Sequence, residues 1–223
     1  MVRVKICGIT SVEQGLVIAQ HNPYALGYIC TTKSPRYISP EKIAAITPAV
    51  IAEKPDVKHF GVLVNESVAR MVAIARTANL TTLQLHGDET PATCQLLRDA
   101  LANASLSNVQ LVKAFRIRTS ADLEETQKYE SYVDMLLLDA YHPDQLGGTG
   151  ETLDWETLKA FSPQLPWFLA GGLNPDNVGT ALSQLSPDGI DLSSGVERSP
   201  GDKDLAKVQA LFMALTNQVS SIP

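Results

Sequence analysis

What most constrains this chain is a rhythm. Short runs rich in β-branched and apolar residues alternate with amphipathic stretches from one end to the other. The runs that read as strands are 3–7 (RVKIC), 24–29, 58–64, 81–85, 109–115, 135–140, 167–170 and 189–192. Helical spacing between them is clearest over 66–78, where Val68, Val72 and Ala75 recur, and over 90–101, where Pro91 takes a favoured first-turn position. It is clear again over 202–217, where Leu205, Val208, Leu211, Phe212 and Leu215 share one face. Eight units of roughly 28 residues each come close to the minimum for a closed eight-fold β/α barrel. An open doubly wound sheet would use only about five or six strands. The expectation is a single α/β barrel domain spanning residues 1–223, with no composition shift to mark a second domain.

Charge and composition exclude several function classes. A net charge of -6 with no cluster of Lys and Arg argues against a nucleic-acid partner. No apolar run approaches the ~18 residues of a membrane helix. Cys7, Cys30 and Cys94 are odd in number and lack metal-ligand spacing, which suits a reducing cytoplasm and predicts neither a metal nor a redox motif.

The ends of the strands carry the chemistry. "VKICGIT" ends a strand in Cys7, turns at Gly8 and offers Thr10 or Ser11 to cap a helix. A buried Cys is ordinarily a small hydrophobe, but the C-terminal end of a barrel strand is where such folds keep their reactive groups. "LLLDAY" ends an apolar strand in Asp139, where an unpaired carboxylate is costly. If Cys7 points inward, so do Lys5 and Arg3; Lys5 could tune the thiol or form a structural ion pair with Asp191. Gln84 and His86 share a strand face and are expected to line the mouth. Arg36 lies in the long loop 30–40, where only a substrate carboxylate would give it a role beyond solvation. The loop 141–154, with Gly147, Gly148 and Gly150, is expected to be mobile and functional.

Two glycine-rich turns follow adjacent strands. "AGGLNPDNV" ends a strand in Gly171-Gly172 and is expected to start a helix with Asn174 as cap and Pro175 in the first turn. "DLSSGVERSPG" ends the next strand in Ser193-Ser194-Gly195. Either alone could be plain turn geometry. Together they predict an anion site made of backbone N–H groups and a helix N-terminus, with no Lys or Arg inside either turn.

The segments KICGIT, SPRYIS, LQLHG, LLLDA, GGTGETLDW, AGGLNP and DLSSGVE…PGDKD run in this order from residue 2 to about 207. They resemble the phosphoribosylanthranilate isomerase family. The chain departs from common family usage in CTTKS after the second strand and at Glu151 and Leu153. The resemblance implies a (β/α)8 TIM barrel and an Amadori rearrangement in tryptophan biosynthesis. The substrate would be N-(5-phosphoribosyl)anthranilate and the product 1-(2-carboxyphenylamino)-1-deoxyribulose 5-phosphate. Cys7 would be the general base, Asp139 the general acid, and Arg36 the contact for the anthranilate carboxylate. The phosphate would lie on Gly171, Gly172 and the Ser193-Ser194-Gly195 turn. No cofactor or metal is implied, and the enzyme would be a monomer or homodimer. An acid and a base working together near neutral pH predict that Asp139 is pushed up and Cys7 down.

Two other readings are weighed against this one. A related phosphosugar barrel enzyme (histidine-pathway isomerase, indole-glycerol-phosphate synthase or epimerase) would share the phosphate turns. The histidine-pathway isomerase resembles this chemistry with Asp on the first strand, so Cys7 counts against it. A silent phosphosugar-binding subunit would not need Cys7, Asp139 and Arg36 intact.

Overall fold

Strand alternates with helix along the chain, and polar caps set where most helices begin. The computed structural model describes residues 2–140 and 155–219. The first half runs β1 (Arg3–Cys7), α1 (Val12–Ala19), β2 (Ala25–Ile29), α2 (Pro40–Glu53), β3 (Lys58–Leu63), α3 (Val68–Thr77), β4 (Thr82–Leu85) and α4 (Pro91–Asn103). The second runs β5 (Gln110–Ile117), α5 (Ser120–Thr126), β6 (Met135–Ala140), α6 (Trp155–Lys159), β7 (Trp167–Ala170), α7 (Val178–Gln184) and β8 (Gly189–Leu192). A hairpin, β9 (Glu197–Ser199) and β10 (Asp202–Lys203), precedes α8 (Leu205–Val219). Ser11, Ser39, Ser67 and Thr90 each accept a backbone N–H of the following turn, and Pro40 and Pro91 open their helices.

Strands β1 to β8 pair in parallel and in order, and β1 closes on β8, giving the eight-stranded barrel that the rhythm predicts. The loop 141–154 expected to be mobile lies outside the described residues. Residues 202–203, expected to begin the last helix, form the second strand of the hairpin instead. Among the described residues, no helix is long and apolar enough to cross a membrane.

Period-two alternation turns every second strand residue into the barrel, and height along the strand separates floor from mouth. Ala25, Phe60, Val112, Met135, Leu137 and Phe168 fill the interior, with Tyr24 packed against the rings of Phe60 and Phe168. Phe168 uses the space left by Gly189: a Cβ there would fall 2.4 Å from its ring. The floor is thereby sealed with apolar side chains, and the polar inward residues gather above it, at the C-terminal ends of the strands.

Outside the barrel, His59 on β3 is fully buried, and its Nδ1 lies 2.9 Å from the Tyr28 hydroxyl. Burial lowers its pKa from 6.5 to about 4. As pH falls, the unfolded chain takes up this proton first, so stability present above pH 6.5 drains away toward pH 4. Between pH 7 and pH 5 the expected loss from this one residue is about 2 kcal/mol. Urea midpoints measured at both pH values check it: a Tyr28→Phe/His59→Leu double variant should lose less stability than the parent. An equal loss in both would assign the acid sensitivity to other groups.

Candidate active site

A cavity of about 250 Å³ opens at the C-terminal ends of the strands, lined by Cys7, Arg36, Gln84, His86, Asp139, Gly171, Gly172, Asp191, Ser193 and Ser194 among others. Cys7 ends β1 beside Gly27, its register partner on β2. A Cβ on Gly27 would come within 2.7 Å of the Cys7 sulfur, so the missing side chain makes the thiol's space. One step down β1, the fully buried Lys5 ammonium bonds Asp191 Oδ2 of β8 at 2.7 Å. The ion pair weighed from the sequence is therefore present, and Lys5 also stands next to Cys7. Burial would lower the Lys5 pKa, but Asp191 and Cys7 outweigh it, and the ammonium stays charged with a raised pKa.

The thiol itself departs from the sequence expectation. Burial pushes Cys7 up, Lys5 and Lys203 pull it down, Asp191 pushes it up again, and the balance lies above the ordinary thiol value, not below it. A buried sulfur ringed by a neutralised ion pair gains less from Lys5 than from a free cation. Arg3 shares the parity of Lys5 but not its depth: it is exposed, its guanidinium 5.2 Å above the Tyr24 ring at the opposite end of the strand.

Asp139 pairs in register with Arg116 on β5 and Ala170 on β7, which turns it inward. Its side chain is 37% exposed and leans into the mouth, so it escapes the apolar strand that carries it. His86 Nε2 lies 3.7 Å from Asp139 Oδ2, and His86 Nδ1 lies 3.1 Å from Gln84 Nε2. With the Gln84 amide donating to Nδ1, the imidazole proton sits on Nε2 and faces the carboxylate.

The two glycine turns meet. Gly171 and Gly172 have φ of 96° and 63°, a region closed to most side chains. A Cβ on Gly195 would fall 1.9 Å from the carbonyl oxygen of Leu173, so the turn after β8 is packed directly against the turn after β7. The expected helix start is corrected: Asn174 accepts from the N–H groups of Asp176 and Asn177 in a local turn, and the cap of α7 is Asn177. The Asn-Pro-Asp-Asn run satisfies itself before the helix begins. A 3-10 turn, Ser194–Val196, follows Ser193.

The anion turns also have a cation that the sequence reading missed. Lys203 Nζ, fully buried, donates to the backbone oxygen of Ser193 at 3.2 Å and lies 3.4 Å from its hydroxyl. Arg36, expected to await a substrate carboxylate, already holds one from the protein. Its Nε and Nη2 donate to Glu197 at 2.7 to 3.0 Å, and Glu197 also bonds Lys203 at 2.7 Å. The signal for both was Pro200-Gly201, a reversal that folds Lys203 back beside Glu197.

Residues 4–214 match the family described as PRAI, N-(5'phosphoribosyl)anthranilate (PRA) isomerase. The N-(5'-phosphoribosyl)anthranilate isomerase of Synechococcus elongatus is 53% identical over 213 residues, covering 96% of this chain and 95% of that protein. Among solved structures, the phosphoribosyl anthranilate isomerase of Thermotoga maritima superposes with a TM-score of 0.83 at 33% identity, over 97% of this chain and 100% of that one. A phosphoribosyl anthranilate isomerase in complex with reduced 1-(o-carboxyphenylamino)-1-deoxyribulose 5-phosphate gives 0.82 at 32% identity, over 97% and 100%.

Proposed function

The chain belongs to the N-(5'-phosphoribosyl)anthranilate isomerase family, a TIM-barrel isomerase of tryptophan biosynthesis, and from that premise we propose which of its residues carry the rearrangement. Asp139, protonated, donates to the furanose ring oxygen as the bond from that oxygen to C1 breaks, and the nitrogen lone pair forms the Schiff base. Cys7, as thiolate, takes the C2 proton, and the electrons of that C–H bond move toward the iminium nitrogen to give the enolamine. Tautomerisation to the ketone completes the product. The observation carrying this reading is the shared cavity: Cys7 and Asp139 face it from β1 and β6, and the glycine turns and Arg36 line it with them.

A raised thiol pKa is compatible with the work of Cys7. Fewer thiolates exist at neutral pH, but each is a stronger base, and the proton to be removed is bound to carbon. Lys5 is the cation placed to favour the ionised sulfur. The anthranilate carboxylate goes to Arg36. Gly171, Gly172 and the Ser193-Ser194-Gly195 turn receive the phosphate through backbone N–H groups, with Lys203 behind Ser193. The whole chain serves as one catalytic barrel within the cytoplasm, and Gln84 and His86 complete the pocket wall.

The anion site has its own test. Inorganic phosphate should inhibit competitively, and Gly172→Val should raise both its inhibition constant and the substrate KM by about tenfold or more, since a β-branched residue is strained at positive φ and blocks the backbone approach. A normal KM in that variant would remove the phosphate from these turns.

A further inference from the structure

Glu197 has no part in the reaction as written, yet its buried carboxylate holds together the positive charge at one side of the mouth. It accepts from Arg36 Nε at 2.9 and 3.0 Å, from Arg36 Nη2 at 2.7 Å, from Lys203 Nζ at 2.7 Å and from the Gly201 N–H at 3.2 Å. Its own position is fixed by the hairpin: Thr10 Oγ1 donates to the Gly201 carbonyl at 2.7 Å and Lys207 Nζ to the Glu197 carbonyl at 3.0 Å. The carboxylate is thus anchored to the barrel, while Arg36 comes from a loop.

A guanidinium offers two edges to carboxylates: Nε with one terminal nitrogen, or the two terminal nitrogens together. Glu197 occupies the first. The second, Nη1 with the remaining N–H of Nη2, is not used by Glu197, and Arg36 lines the same cavity as Cys7. Charge points the same way. Arg36 and Lys203 carry two positive charges and Glu197 one negative, so the cluster keeps a net charge of one that a substrate carboxylate neutralises. A long loop side chain held in one rotamer before binding has less entropy to lose when the ligand arrives.

We propose that Glu197 is a positioning residue for substrate recognition, gripping one edge of Arg36 so that the opposite edge is presented to the carboxylate of the substrate. The proposal rests on the reading that Arg36 contacts that carboxylate. Glu197 touches no reacting atom and acts through Arg36.

A double-mutant cycle tests it with steady-state kinetics on the whole protein. Arg36→Met should raise KM by about tenfold or more with kcat little changed, because the contact is made in ground and transition states alike. Glu197→Gln should raise KM by a similar factor with kcat within about threefold, and the double variant should be no worse than Arg36→Met alone. The inhibition constant for inorganic phosphate should stay within about twofold in Glu197→Gln, since Lys203 still reaches Ser193. Multiplying effects in the double variant, or a phosphate constant that rises in step with KM, would overturn the proposal and make Glu197 a support of the fold or of the phosphate turn. An unchanged KM in Arg36→Met would show in that single variant and sink the reading of Arg36 beneath it. Should Glu197→Gln fail to fold, Glu197→Asp keeps the charge opposite Lys203 but withdraws it by one methylene, and the same non-additivity is expected.

Discussion

Cys7→Ala should fold as the parent does and lose about 10²- to 10⁴-fold in kcat, the usual contribution of a general base. The substitution is mild for the barrel: the thiol is buried in a hollow made by Gly27, and alanine removes one atom from it. It is severe for the chemistry. A proton must leave carbon, and the nearest other groups are poor substitutes: Lys5 is a charged ammonium and the Asp191 carboxylate is weakened as a base by its 2.7 Å ion pair with it. Cys7→Ser should be almost as poor, because an alcohol is a far weaker acid than a thiol and its alkoxide is scarce at neutral pH. Turnover above about a tenth of the parent value in the alanine variant would contradict the assignment of Cys7 as base.

Asp139→Asn should cost a comparable factor of about 10² to 10⁴ in kcat while leaving KM close to normal. Asparagine keeps the shape and can still meet His86, but it has no acidic proton to give the ring oxygen. The variant isolates that proton because the carboxyl is 37% exposed at the mouth rather than packed into the barrel. The fluorescence change that follows the anthranilate conjugate measures it directly. Equal damage to kcat in Asp139→Asn and in a Gln84→Ala variant, which loosens His86, would move the acid function away from Asp139.

The fold was legible because its signals are local. Strands announce themselves by composition, and Ser11, Ser67 and Thr90 mark helix starts by chemistry that involves only the next three residues. Gly171 and Gly172 were legible for the same reason, since positive φ is a property of one residue. Parity told which side chains share a face of β1 but not how deep each lies, so Lys5 reached the site and Arg3 did not. The direction of the Cys7 shift was hidden because burial and a neutralised neighbour are tertiary facts. Glu197 and Lys203 were hidden too: a short hairpin brings them to Arg36 across a sequence distance of 161 residues in the case of Glu197.

The seam between β1 and β8 couples this site to the order in which the chain is made. Arg3 through Ile6 ladder onto Gly189 through Leu192, and Lys5 finds Asp191 only 186 positions later. At ordinary ribosomal rates that separation means roughly ten seconds or more during which β1 exists without one of its two neighbours. Throughout that interval a nascent chain can assemble the helices and parallel strand pairs of its first half, yet it contains neither the counter-ion of Lys5 nor the carboxylate that grips Arg36. The thiol at residue 7 emerges early and waits. A catalytic centre stitched from both ends of the sequence is finished last, so translation that stalls before the final hairpin yields a chain with the base and the glycine turns made but without the carboxylate that grips Arg36.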